Sequence, residues 1–135
     1  MRFGSGPAIL AVVLSFAAAP GWAEDCPAKS TEMDDIIAAV NDASSCDRAM
    51  KVAEACAYGA SADVQFGAAV EKKCEGDFLG NPQKRAYARE MGVCDRKYRN
   101  QSGTMYLSAT AFCRAKVAQR YAQKASKQAG PSKAR

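Results

Sequence analysis

Six cysteines are the residues of this chain best suited to chemistry: Cys26, Cys46, Cys56, Cys74, Cys94 and Cys113. A cysteine can be a nucleophile, a metal ligand or half of a disulfide. The chain has no histidine, so neither a Ser-His-Asp nor a Cys-His arrangement can form. No Cys-x-x-Cys occurs, and spacings of ten to twenty residues do not match a zinc knuckle. An even set of cysteines behind an export signal reads instead as a disulfide framework.

Carboxylates are the remaining acid-base candidates. Asp34 and Asp35 are neighbours, so on a helix they point about 100° apart and cannot face one another. Glu71, Glu75 and Asp77 are interleaved with Lys72 and Lys73, a pattern read as a solvated helix face. Asp63 stands near a helix start, where it suits the helix dipole. Met33, Met50, Met91 and Met105 are dispersed and read as core filler rather than as copper ligands. The chain is therefore expected to have no catalytic residue, no metal and no cofactor. Tyr58, Tyr87, Tyr98, Tyr106 and Tyr121, with Arg89, Arg96, Arg99, Arg114 and Arg120, allow two readings. They form an Arg/Tyr binding surface, or the rings pad the core and the arginines solvate it.

The elements that hold these residues are expected to be helices. Alanine is abundant and alternating β-branched runs are few. Thr31-x-x-Asp34 and Ser44-x-x-Asp47 resemble capping boxes for the first two helices. Cys46, Met50, Ala53 and Cys56/Ala57 line one stripe of the second. Gly59 ends it, and Ser61 is the expected cap of a third helix, where Phe66, Val70, Cys74 and Phe78 recur every four residues. Gly80-Asn81-Pro82 punctuates the chain. A fourth helix carries Tyr87, Met91, Cys94 and Tyr98. A fifth runs from about Thr104 to Gln123, with Met105, Ala109, Phe112/Cys113, Val117 and Tyr121 on one face. The expected class is all-α: a small, disulfide-stapled bundle of about five helices.

Residues 1–23 read as a cleaved signal peptide. Arg2 is followed by the apolar run Pro7–Ala19, and Gly21-Trp22-Ala23 offers small residues at a cleavage site. Ala17 and Ala19 form an earlier small pair, but Pro20 would follow that cut. The apolar run is short for a membrane span, so no transmembrane anchor is expected. The folded domain is assigned to residues 24–123 and a basic, flexible tail to 124–135. The expected location is periplasmic or secreted.

Charge divides along the chain. Residues 24–77 hold twelve acidic and five basic side chains, and residues 78–135 hold two acidic and thirteen basic. Either helices of the two halves pack and neutralise each other, or one half keeps a patch for a charged partner. An exported chain is not expected to meet nucleic acid.

Helix geometry limits the cysteine pairings. Cys46 and Cys56 lie about 15 Å apart on one helix, beyond the Cα separation of about 7 Å that a disulfide tolerates. Cys46 and Cys74 lie equally far from the turn at Ala60 and are the preferred pair. Cys26, on its lead, can reach Cys56. Cys94 and Cys113 are offset by about 7 Å along the hairpin axis, a borderline register. The chief rival joins Cys56 to Cys94.

The stretch from Cys94 to Tyr121 adds a resemblance. Cys94-Asp-Arg-Lys-Tyr98, Ser102-Gly103-Thr104-Met105, Cys113 and Arg120 resemble the closing motif of the LprI-type lysozyme-inhibitor-like family. Thr104 stands where that family usually has Ser, and six cysteines exceed its usual number. The resemblance implies an exported helical domain that binds, or inhibits, a lysozyme-like wall hydrolase. Tyr98, Ser102, Gly103, Thr104, Met105 and Tyr106 are then the candidate partner-binding residues. The motif also has a purely structural reading. Gly103 eases a turn, Ser102 caps the fifth helix, Met105 packs back on the fourth, and two cysteines staple the elbow. A different expectation is a structural or stress-related envelope protein whose basic half touches anionic lipid or wall polymer. The oligomeric state is open.

Overall fold

The computed structural model describes residues 25–78 and 83–130. The expected signal segment and Gly80-Asn81-Pro82 lie outside them. The described chain is all-α, with five helices: α1 Met33–Asp42, α2 Cys46–Ala55, α3 Asp63–Glu75, α4 Lys84–Lys97 and α5 Thr104–Ala129. None is long and apolar enough to cross a membrane.

The helices pack around α3 and α5. Phe66, Val70, Cys74 and Phe78 are all buried, as their four-residue spacing requires. α3 and α5 approach closely at Gly67, where an added Cβ would lie 2.9 Å from the Ala111 Cβ. A glycine facing an alanine lets these two backbones close on one another. α1 and α2 cover α3, with Ile36, Val40, Met50 and Ala53 buried between them. The fourth helix packs chiefly on α5, and its Tyr87 also reaches Glu75 and Phe78 at the end of α3.

All three expected disulfides form. Cys26–Cys56, Cys46–Cys74 and Cys94–Cys113 bring their Cα atoms to 4.6, 4.8 and 5.6 Å. They belong to an oxidising, extracytoplasmic setting. The third pair closes across a connection that turns at Tyr98–Gln101, where the Gln101 N–H donates to the Tyr98 carbonyl at 2.9 Å, and again at Gly103, with φ of 118°, a conformation that glycine adopts without a Cβ penalty.

Several local expectations are corrected. The cap of α2 is Ser45, whose Oγ accepts the Arg48 N–H at 3.2 Å, rather than Ser44. No side chain caps α1 at Glu32; Ser30, not Thr31, accepts the Glu32 N–H at 3.1 Å. The start of α3 is organised by Asp63 instead of Ser61. Gly103, not Ser102, stands at the head of α5, and no side-chain cap bond forms there. Met105 is 60% exposed and does not pack back on α4. Residues 124–129, expected in a frayed tail, continue α5 to Ala129. The buried face of α5 is Ser108, Ala111, Ala115, Ala118 and Ala122 with Val117 and Tyr121. Small side chains bring this helix close to its neighbours, which an apolarity count centred on large residues passes over.

Candidate functional site

The expected binding residues separate into two groups. Tyr98 and Tyr106 come together, with ring centroids 5.9 Å apart at an interplanar angle of 39°. Lys97 Nζ lies 5.2 Å from the Tyr98 centroid, within cation–π range. Ser102, Gly103, Thr104 and Met105 are exposed on the adjoining turn and line no cavity with them.

The tyrosine pair stands on the wall of an open cleft of about 460 Å³ between α3, the end of α4 and the start of α5. Val64 and Ala68 come from α3, and Leu107 and Ala111 from α5. Val64 is 41% and Leu107 52% exposed. Large apolar side chains grouped at a concave surface are the usual lining of a binding site.

At its polar end the cleft is organised by Arg114. The guanidinium Nε and Nη2 donate to the two Glu71 carboxylate oxygens at 3.0 and 3.1 Å, and Nη1 donates to both Asp95 oxygens at 2.9 Å. The hydrogen bonds to Glu71, and then those to Asp95, hold the guanidinium still more firmly in its charged form. A planar fork satisfies two carboxylates in a way a lysine cannot. This ion pair also joins the acidic and basic halves, as does Lys116 with Glu54 at 3.2 Å. Among the described residues these two contacts are the ion pairs that join the halves, Lys116–Glu54 at the surface and Arg114–Glu71 partly buried. The acidic residues of α1 and the basic residues of α4 lie on helices that do not touch each other.

Glu71 and Glu75 are thus not a solvated face. Glu75 accepts the Tyr87 hydroxyl at 2.9 Å, and burial first, then this bond, pushes the Tyr87 phenol well up from its ordinary range. Tyr87, Phe78 and Tyr121 form an aromatic cluster with centroids 4.9 to 5.7 Å apart. Tyr58 is exposed, and its hydroxyl donates to the Thr31 carbonyl at 2.9 Å. Of the five tyrosines, Tyr87 and Tyr121 pad the core, as the second reading of the Arg/Tyr set has it, and Tyr98 and Tyr106 line the cleft.

The Glu71–Arg114–Asp95 group was not singled out from the sequence. A signal was present, because Asp95 and Arg114 each directly follow a cysteine of one bridge. Once Cys94 pairs with Cys113 on antiparallel helices, their neighbours are brought side by side. Chemically the group offers recognition, since every carboxylate oxygen in it already accepts a guanidinium N–H.

Compared with protein-family models, with curated proteins and with solved structures, the chain matches none.

Proposed function

We propose that this chain is an exported, non-enzymatic binding protein that engages a lysozyme-like cell-wall hydrolase. The contact is made by the cleft and the adjoining turn Asn100–Thr104. The observation that carries this reading is the Tyr98–Tyr106 pair on the wall of a cleft with exposed Val64 and Leu107 on its rim. Tyrosines supply large contact area at low entropic cost and anchor many protein interfaces. The likeness of residues 94–121 to lysozyme-inhibitor-like proteins supports the choice of partner. So does the acidic α1, with Asp34 and Asp42 exposed, which would steer a cationic enzyme. A binding role also fits the absence of histidine, the six bridged cysteines and the guanidinium-bound carboxylates of the cleft.

The test is a lysozyme-inhibition titration at low and high salt. It uses the oxidised protein, its reduced and alkylated form, and the Tyr98→Ala/Tyr106→Ala variant. Salt-sensitive inhibition by the oxidised protein, weakened at least about tenfold in the variant, is expected. No inhibition of several lysozyme types at low salt would sink the proposal.

A further inference from the structure

The outer face of α4 carries a line of arginines that neither the core nor the cleft uses. Arg85, Arg89 and Arg96 fall within one narrow arc of the helix, opposite buried Met91 and Cys94. At 1.5 Å per residue the line is about 17 Å long. All three arginines are exposed, and none belongs to an ion pair among the described residues. Val93 stands beside this arc at 56% exposure. The two carboxylates of α4 are both withdrawn from this face: Glu90 is bound by Arg120 at 2.8 Å and Asp95 by Arg114. Beyond Glu90 the basic surface continues onto α5, where Arg120 is half exposed and Lys124 lies 4.9 Å from the Tyr121 ring centroid.

We propose that this two-helix face is a docking surface for an anionic lipid bilayer. Charge complementarity selects an anionic partner. Shape favours a bilayer over a single polymer strand, because the arginines form a flat line along the outside of a helix, with no groove to hold a strand. Arginine stems and Val93 provide apolar contact at the headgroup level, as in side chains that reach from apolar surroundings to an interface. Each basic residue at an anionic membrane surface adds to the attraction, and salt screens it.

The experiment is vesicle co-sedimentation at low salt, with phosphatidylglycerol-containing and pure phosphatidylcholine vesicles. The variant Arg85→Glu/Arg89→Glu/Arg96→Glu is compared with Arg48→Glu/Lys51→Glu/Lys72→Glu, which makes the same charge change on exposed positions of α2 and α3. Far-ultraviolet circular dichroism checks each fold, and Arg85→Gln/Arg89→Gln/Arg96→Gln is the milder substitute. The native protein should sediment with the anionic vesicles only. The α4 variant should lose at least about tenfold in partitioning, and the α2/α3 variant should keep most of it. Equal loss in both variants would reduce the effect to net charge and overturn the proposal. So would absence of binding to the anionic vesicles, including the case in which isolated wall polymer is bound instead. At high salt, where long-range steering is screened, lysozyme inhibition by the α4 variant should be unchanged, which separates this surface from the cleft.

Discussion

Ser108 of α5 donates a 2.6 Å hydrogen bond to Asp63 Oδ2 at the start of α3, and both residues are buried. The same carboxylate accepts the backbone N–H groups of Tyr58, Gly59 and Ala60 at 2.9, 2.8 and 3.3 Å. One side chain thus closes the α2–α3 turn, heads a helix and pins α5 to it. Gly59, at φ 70°, supplies the left-handed bend that turns the backbone donors inward.

Removing this carboxylate leaves four donors without their acceptor, three part-buried backbone N–H groups and the buried Ser108 hydroxyl, each a cost of about 1–3 kcal/mol when unsatisfied. Asp63→Ala should lower stability by about 3 kcal/mol or more, and Ser108→Ala by about 1–2 kcal/mol. Denaturant unfolding measures both. A loss below half a kcal/mol for Asp63→Ala would show that water replaces the carboxylate.

Gly67→Ala sets two opposite effects against each other. Alanine gains about 1 kcal/mol in helix propensity. Its Cβ would also lie 2.9 Å from the Ala111 Cβ and 3.0 Å from the Ala111 carbonyl oxygen. A backbone atom cannot rotate aside, and overpacking costs about 1–3 kcal/mol. Net destabilisation is expected in thermal melts, and a larger one for Gly67→Val. A gain in melting temperature for either variant would show that α3 and α5 separate easily.

The Cys94–Cys113 bridge matters most for α4, which packs chiefly on α5. Replacing both cysteines by serine should cost about 3 kcal/mol and raise amide exchange in α4 before α3. Uniform acceleration across all helices would mean that α4 unfolds only with the whole domain.

Alkaline titration should resolve Tyr87 and Tyr121. Burial first, then hydrogen bonds to Glu75 and Glu90, raises both phenols above the ordinary value of 10.0. A folded-state value above the unfolded one means that the contribution to stability is complete below about pH 10 and is lost as pH climbs towards the raised values. Part of the tyrosinate absorbance should appear late, together with unfolding, and Tyr87→Phe should shrink that late fraction. A single early transition for all five tyrosines would refute the assignment.

Glu90 acts on the acid side. Hydrogen bonds from Arg120 and then Tyr121 hold its carboxyl below the usual 4.5. Its contribution is present above the ordinary carboxylate range and is lost as pH falls through the lowered value. Glu90→Gln should flatten this part of the acid limb of a stability–pH curve while changing neutral stability only slightly, because the pair is solvent-exposed. An unchanged acid limb would show that Glu90 is not bound in solution.

Helix number, helix class and the Cys46–Cys74 bridge were legible in the sequence because they depend on short-range quantities. Cys46 and Cys74 stand at equal distances from one turn, and Phe66, Val70, Cys74 and Phe78 repeat at the helical period, so local geometry alone aligns them. The tyrosine pair was half legible. Tyr98 and Tyr106 flank one turn, yet nothing local says that Met105 points outward. The path of the connection through the Tyr98–Gln101 turn and Gly103 decides that. The Glu71–Arg114–Asp95 group and the Asp63–Ser108 pin join residues up to 45 apart in sequence. Their formation depends on the close approach of Gly67 to Ala111, a packing detail that periodicity does not encode. By itself the sequence determined an oxidised five-helix bundle with opposite charge in its two halves. Only the tertiary structure decided which charges meet inside and which are left facing outward, because ion pairing needs side chains within a few ångströms across helices, and that distance is set by packing.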